Sequence, residues 1–178
     1  GVRWAFLTVS PNGTRLACGF FDGNVRVWRM PEGSLVKEWK AHISLALPVY
    51  SPDGKLIATA GGDGSVTLHD GESIVKIRDL GGHERRVYSM AFSPDGSKLA
   101  TGSIDRTVNI WDVHTGELVR TFREHRATIA AIAFDPKGDR VATAASDNRL
   151  LLWSLSTGEI LGVFRGHIPD AYALAAKP

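Results

Sequence analysis

The sequence predicts an all-β fold, a β-propeller of four-stranded antiparallel blades, with four complete blades and the first strand of a fifth. Three recurrences in register predict it. His42, His83, His125 and His167 stand 41, 42 and 42 residues apart. The turns Ser10-Pro11-Asn12-Gly13, Ser51-Pro52-Asp53-Gly54, Ser93-Pro94-Asp95-Gly96 and Asp135-Pro136-Lys137-Gly138 keep the same steps, as do the strand ends Trp28, His69, Trp111 and Trp153. A fixed internal period is read before anything else, because each repeat is one supersecondary unit.

The third repeat shows the elements most clearly. Val87 to Phe92 is apolar enough for a strand covered on both faces, and Ser93-Pro94-Asp95-Gly96 places Pro and Gly where a type I turn wants them. Lys98 to Thr101 reads as a second strand. Asp105-Arg106 turns into a third, Thr107 to Trp111, and Thr115-Gly116 into a fourth, Leu118 to Phe122. Asp22-Gly23, Asp63-Gly64 and Asp147-Asn148 take the place of Asp105-Arg106, where Gly or Asn tolerates φ > 0. Long helical periodicity is absent. A four-stranded unit apolar on both faces cannot bury itself alone, so neighbours stack, and a radial propeller hides every face. The blades are expected at about 2–40, 43–80, 84–123 and 126–165, with a further blade starting over 167–178.

Hydrophobic residues make up 43% and charged residues 22%, the composition of a globular protein. A formal net charge of +2, with both signs interspersed, provides no footprint for nucleic acid or an anionic membrane. The longest apolar run, Ile129 to Phe134, is far too short to span a bilayer. The opening Gly1-Val2-Arg3-Trp4 carries no targeting signal. One cysteine, Cys18, excludes an internal disulfide framework and is consistent with a cytoplasmic location.

Gly82-His83, Ser93-Pro94-Asp95-Gly96, Asp105 and Trp111-Asp112, within one repeat, resemble the WD-repeat (WD-40) β-propeller signature, and the resemblance covers essentially the whole chain. Other blades depart from it. Blade two has His69-Asp70 for Trp-Asp and carries Pro48 in its first strand, which is tolerable only at an unpaired edge. Blades one and four have Trp28-Arg29 and Trp153-Ser154, and His42 and His125 follow Ala41 and Glu124 instead of Gly. Since the family commonly has seven blades and both ends of this chain fall inside motifs, the resemblance implies part of a larger propeller. Its open ends are expected to associate with the parent's remaining blades or with a second copy.

The resemblance also implies structural tetrads: His83, Thr101, Asp105 and Trp111 in blade three, and His125, Thr143, Asp147 and Trp153 in blade four. An indole only donates, Thr does both, neutral His has one donor and one acceptor nitrogen, and Asp accepts. Such a chain satisfies its own polar groups and ties the His loop to the Asp turn. His, hydroxyl and Asp also spell a nucleophilic triad, but the same trio recurs in successive blades, whereas an active site is one asymmetric constellation. No catalytic, cofactor or metal residues are expected. His69 and His114 lie outside the histidine register without companions at ligand spacing. Gly61-Gly62-Asp63-Gly64 lacks the Lys-Ser/Thr of a phosphate loop, and Cys18 reads as a buried, inert thiol.

The resemblance places the His loops and Asp turns on one face, where Arg3, Phe21, Arg85, Arg86, Tyr88, Ile104, Arg126 and Ser146 can project toward a partner. Arg and Tyr are frequent interface anchors. The function expected is a non-enzymatic scaffold presenting loops to a protein or peptide. Arg85, Arg86 and Tyr88 imply an acidic or phosphorylated segment as ligand. Two alternatives are a sensor or regulatory propeller within a larger signalling protein or enzyme, and a propeller-type hydrolase with acids and bases around its channel.

Overall fold

The computed structural model describes residues 4–165. The chain divides into two compact units, residues 1–87 and 88–178. Among the described residues, sixteen strands form four antiparallel sheets in simple sequence order and no helix occurs. In the first unit one sheet consists of β1 (Trp4–Val9), β2 (Arg15–Phe20), β3 (Asn24–Arg29) and β4 (Leu35–Lys40), and the next of β5 (Ala46–Tyr50), β6 (Leu56–Gly61), β7 (Ser65–Asp70) and β8 (Lys76–Gly82). The second unit holds β9 (Val87–Phe92, its first residue at the boundary), β10 (Lys98–Ser103), β11 (Val108–Asp112) and β12 (Leu118–Phe122). Its other sheet comprises β13 (Ile129–Phe134), β14 (Arg140–Ala145), β15 (Arg149–Ser154) and β16 (Ile160–Arg165).

The sequence places β9 and β12 as found, but β10 runs two residues further than expected. Gly102 pairs with Val108, which extends the ladder before the Asp105 turn. The expected start of a further blade, residues 167–178, lies outside the described residues.

Residue size follows position in each blade. Second strands are buried and built of small residues: Ala17, Cys18 and Gly19; Ala58, Thr59 and Ala60; Ala100, Thr101 and Gly102. A Cβ on Gly19 would overlap Ala46 and Pro48, so glycine is what lets β5 lie against β2. Pro48 itself stands on the terminal strand of its sheet, where its missing N–H costs no ladder bond. Fourth strands are the most exposed, and β16 leaves Ile160, Leu161, Val163 and Phe164 bare.

The first hairpin turn explains its own sequence. Gly13, Gly54, Gly96 and Gly138 sit at φ between 70° and 74°, and each donates its N–H to the carbonyl of residue i. Asp95 Oδ1 accepts from Ser93 Oγ (2.6 Å) and Ser97 N (3.0 Å), and these bonds bring its carboxyl down to about 2. Asn12 and Asp53 make the same bonds.

The turn before the fourth strand differs in one blade. Gly33, Gly116 and Gly158 occupy φ of 70° to 82°, and Ile74 occupies the same left-handed region at 55°. A β-branched residue there is strained. Its side chain is buried with Ala17, Val27, Tyr50 and Ile57, against Trp39, in the core between the two sheets of the first unit. Burial offsets the strain. The second unit has its own core, in which Phe122 stacks on Trp153 beside Ile129, Phe134, Val141 and Leu151.

Basic residues on fourth strands tie one sheet to the next. Lys37 Nζ donates to the carbonyl of Ile74 (3.0 Å), and Arg120 donates to those of Ser156 (3.2 Å) and Thr157 (3.4 Å).

Candidate functional site

The His loops and Asp turns are held by buried hydrogen bonds. In the fourth sheet Trp153 Nε1 donates to Thr143 Oγ1 (2.8 Å), the Thr143 hydroxyl donates to His125 Nε2 (2.8 Å), and His125 Nδ1 donates to Asp147 Oδ2 (3.1 Å). Only one neutral tautomer serves this order. Burial pushes the His125 pKa down, against the pull of Asp147. Burial raises the Asp147 carboxyl, but bonds from Arg126 N–H, the Arg149 guanidinium and His125 outweigh it and bring it to about 2.

The second sheet makes a variant. Thr59 Oγ1 donates to His42 Nε2 (3.1 Å), His42 Nδ1 donates to Ser65 Oγ (2.8 Å), and the Ser65 hydroxyl donates to Asp63 Oδ1 (2.6 Å). Ser65 is a participant the sequence reading missed. The available signal is that Asn24, Ser65, Thr107 and Arg149, two residues after each turn Asp, all carry donors. Where Trp153 stands in the fourth sheet the second has His69, whose Nδ1 is buried without a partner, as are Trp39 Nε1 and Tyr50 Oη in the same layer. Burial first, then nearby positive charge, holds the His69 pKa at about 4.

In the third sheet Trp111 Nε1 donates to Thr101 Oγ1 (2.9 Å), and Asp105 Oδ1 accepts from Thr107 N (2.9 Å) and Thr107 Oγ1 (2.6 Å). His83 belongs to the first unit, where its N–H donates to the Gly64 carbonyl (2.9 Å).

These trios offer no route for substrate. Thr143 and Thr59 are 0% exposed, and His125 and His42 are buried over them. A hydroxyl out of reach of solvent is a poor nucleophile, and that of Thr143 is in addition bonded to both Trp153 and His125. Cys18 is buried and its thiol pKa is pushed up by burial. His69 is buried and His114 exposed, and no group of three or more His, Cys, Asp or Glu among the described residues is placed to hold a metal ion.

The bonds instead anchor the loop backbone. Asp147 Oδ2 accepts from Arg126 N (2.8 Å), and Asp63 Oδ2 from Ile43 N (3.1 Å), so the residue after each His is pinned while its side chain projects. Arg126 is exposed, and Ser146 lies on the adjoining segment through its N–H to Thr128 (2.9 Å). In the first unit Phe21 and Arg85 are exposed and Arg86 half-buried. Tyr88 and Ile104, in the second unit, are half-buried, and Arg3 lies outside the described residues. Ile43, which the sequence reading passed over, is more exposed than any other large apolar side chain of the described residues.

The family model described as "WD domain, G-beta repeat" matches residues 5–29, 33–70, 74–112 and 116–154. Each complete match joins the fourth strand of one sheet to three strands of the next. The pre-rRNA-processing protein crb3/ipi3 of Schizosaccharomyces pombe is 33% identical over 96 residues, 46% of this chain and 22% of that protein. Actin-interacting protein 1 of Drosophila melanogaster is 37% identical over 81 residues, 44% of this chain and 13% of that protein. A chain in a crystal structure of a mitotic checkpoint complex shares the fold with a TM-score of 0.86 at 23% identity, over 92% of this chain and 51% of that one. The present chain thus spans about half or less of each of these relatives. With four matches in register over most of its length, the chain belongs to the WD domain, G-beta repeat family.

Proposed function

We propose that the chain is a non-enzymatic interaction module whose face of His loops and Asp turns receives a protein or peptide. One observation carries this reading: the groups able to do chemistry are buried and committed to holding loops, while the residues those loops project are exposed. The name of one relative, actin-interacting protein 1, is in keeping with it. The small share of each curated relative that this chain covers favours a second, compatible reading, a regulatory propeller within a larger protein. The bare apolar residues of β16 are where a further blade or a second copy would pack.

The ligand class proposed for Arg85 and Arg86, with Tyr88 after them in the chain, is an acidic or phosphorylated segment. Guanidinium groups pair with carboxylate and phosphate in bidentate geometry, and an aromatic ring adds apolar area. Fluorescence anisotropy with aspartate-rich, phosphoserine and lysine-rich dodecapeptides tests this. The first two should bind and the third should not, and Arg86→Ala should cost roughly 1 to 2 kcal/mol. Val119→Ser, on the exposed side of β12, should leave binding unchanged. Binding lost in Val119→Ser but kept in Arg86→Ala would move the contact to the outer strands and overturn the reading.

A further inference from the structure

The first unit carries an exposed apolar pair on segments that touch through their backbones. Ile43 is 80% exposed and Phe21 52%. Leu45 N donates to the Phe21 carbonyl (2.9 Å), and Ala41 N and His42 N both donate to the Gly23 carbonyl (3.0 and 3.1 Å), so the Phe21 turn and the Ile43 loop form one surface.

That surface is rigid beneath the pair. Ile43 N is held by Asp63, Asp63 by Ser65, and the buried His42 by Thr59 and Ser65. Leu45, two residues on, is buried. Ile43 itself is 80% exposed and lies outside the buried clusters around Ile74 and around Trp153. In the fourth sheet the equivalent pinned position holds Arg126, a residue water accepts readily. An isoleucine and a phenylalanine on adjoining, pre-organised segments are the composition of an anchor site, where little ordering cost is left at binding.

The surface continues toward positive charge. Gly62 N donates to the Ser44 carbonyl (2.7 Å), and His83 N to the Gly64 carbonyl (2.9 Å), which brings the segment carrying Arg85 beside the Asp63 turn. Along one face of the first unit the order is therefore Phe21, Ile43, Asp63, Arg85. We infer that Phe21 and Ile43 form an apolar anchor site for the hydrophobic side chain of an extended peptide segment whose acidic group meets Arg85. The inference rests on the proposed function for the location of the face, and it adds a second, chemically different contact. The partner segment thus pairs a Leu, Ile or Phe with an Asp, Glu or phosphorylated residue a few positions away.

A phage-displayed library of random dodecapeptides, selected on the whole chain, tests this. The expected consensus pairs an aliphatic or aromatic residue with an acidic one. The consensus peptide should bind Ile43→Ser or Phe21→Ser about tenfold more weakly, the loss expected of an interface anchor. Both positions are exposed, so thermal midpoints should stay at the wild-type value. Reselection on Ile43→Ser should keep the acidic preference and lose the apolar one, and reselection on Arg85→Ala should do the reverse. An acidic consensus indifferent to Ile43→Ser and Phe21→Ser overturns the anchor while leaving the acidic reading standing. An apolar consensus without acidic residues does the opposite. Failure to enrich any sequence overturns both.

Discussion

The guanidinium of Arg15, at the start of β2, is held by Glu72 in the turn after β7: Nη1 donates to the Glu72 carbonyl at 2.6 Å and Nη2 to its carboxylate. Arg15 stands cross-strand from Arg29, a like-charged pair, with its own side chain only 10% exposed. Glu72, 85% exposed, is therefore more than a surface ion-pair partner. Glu72→Gln should lower stability by about 1 kcal/mol, the upper end for an exposed partner, because the charge it leaves behind is largely buried. The third sheet shows the alternative, with Lys98 cross-strand from Asp112. Adding Arg29→Asp to Glu72→Gln should recover most of the loss. An unchanged denaturant midpoint for Glu72→Gln would refute this account.

Trp111 and His69 occupy the same place in their blades but not the same bonding state. Trp111 donates to Thr101, whereas His69 Nδ1 is buried and unpartnered. Trp111→Phe should cost roughly 1 to 3 kcal/mol by removing a buried donor. His69→Phe should cost less, or stabilise, since it removes a polar atom that is already unsatisfied. Paired urea titrations decide: an equal or smaller loss for Trp111→Phe contradicts the staple role proposed for Trp111.

Ile74 reverses the usual order of truncation. Ile74→Ala gives up buried contacts with Ala17, Val27, Tyr50 and Ile57 yet keeps a Cβ at φ 55°. Ile74→Gly gives up the same contacts and relieves the strain, worth roughly 1 to 2 kcal/mol for a non-glycine residue in the left-handed region. Both should be destabilised by burial loss on the order of 2 to 4 kcal/mol, with Gly the less affected. Thermal melts showing Gly clearly below Ala would mean that the residue bears little strain.

The acid limb of stability should report His69. Its folded-state pKa, about 4, lies below the ordinary 6.5, so neutral His69 favours the folded state. That contribution is complete above pH 6.5 and is lost as pH falls from there toward 4. The shift corresponds to roughly 3 kcal/mol at most. His42 and His125 are lowered in the same direction, by burial foremost, and add to the trend. Unfolding free energy should therefore fall between pH 6.5 and 4, and less steeply in His69→Phe. Parallel pH curves for the two proteins would remove His69 from the explanation.

The sequence by itself determined the period, the strand order within each blade and the chemistry of the turns. Those features are local: Asp95 folds back on Ser93 and Ser97 two residues to either side, and Gly96 at φ 73° closes its own turn. A short-range pattern repeated four times is legible because each copy answers to the same sterics. The grouping of His125, Thr143, Asp147 and Trp153, which hydrogen bonds join in the fourth sheet, was implied by the family resemblance and not by the repetition itself.

Where the sheets must meet, only the tertiary structure decided the outcome. Arg15 finds Glu72 at a separation of 57 residues, and Ile74 takes a glycine's conformation because a neighbouring sheet covers its side chain. The exposure of Ile43 likewise follows from which face of its loop the core claims, and Leu45 holds the buried side. Each depends on how one sheet stacks against another or on how a loop settles over it. Stacking is driven by burial of area, which is non-directional and leaves no spacing rule in the chain.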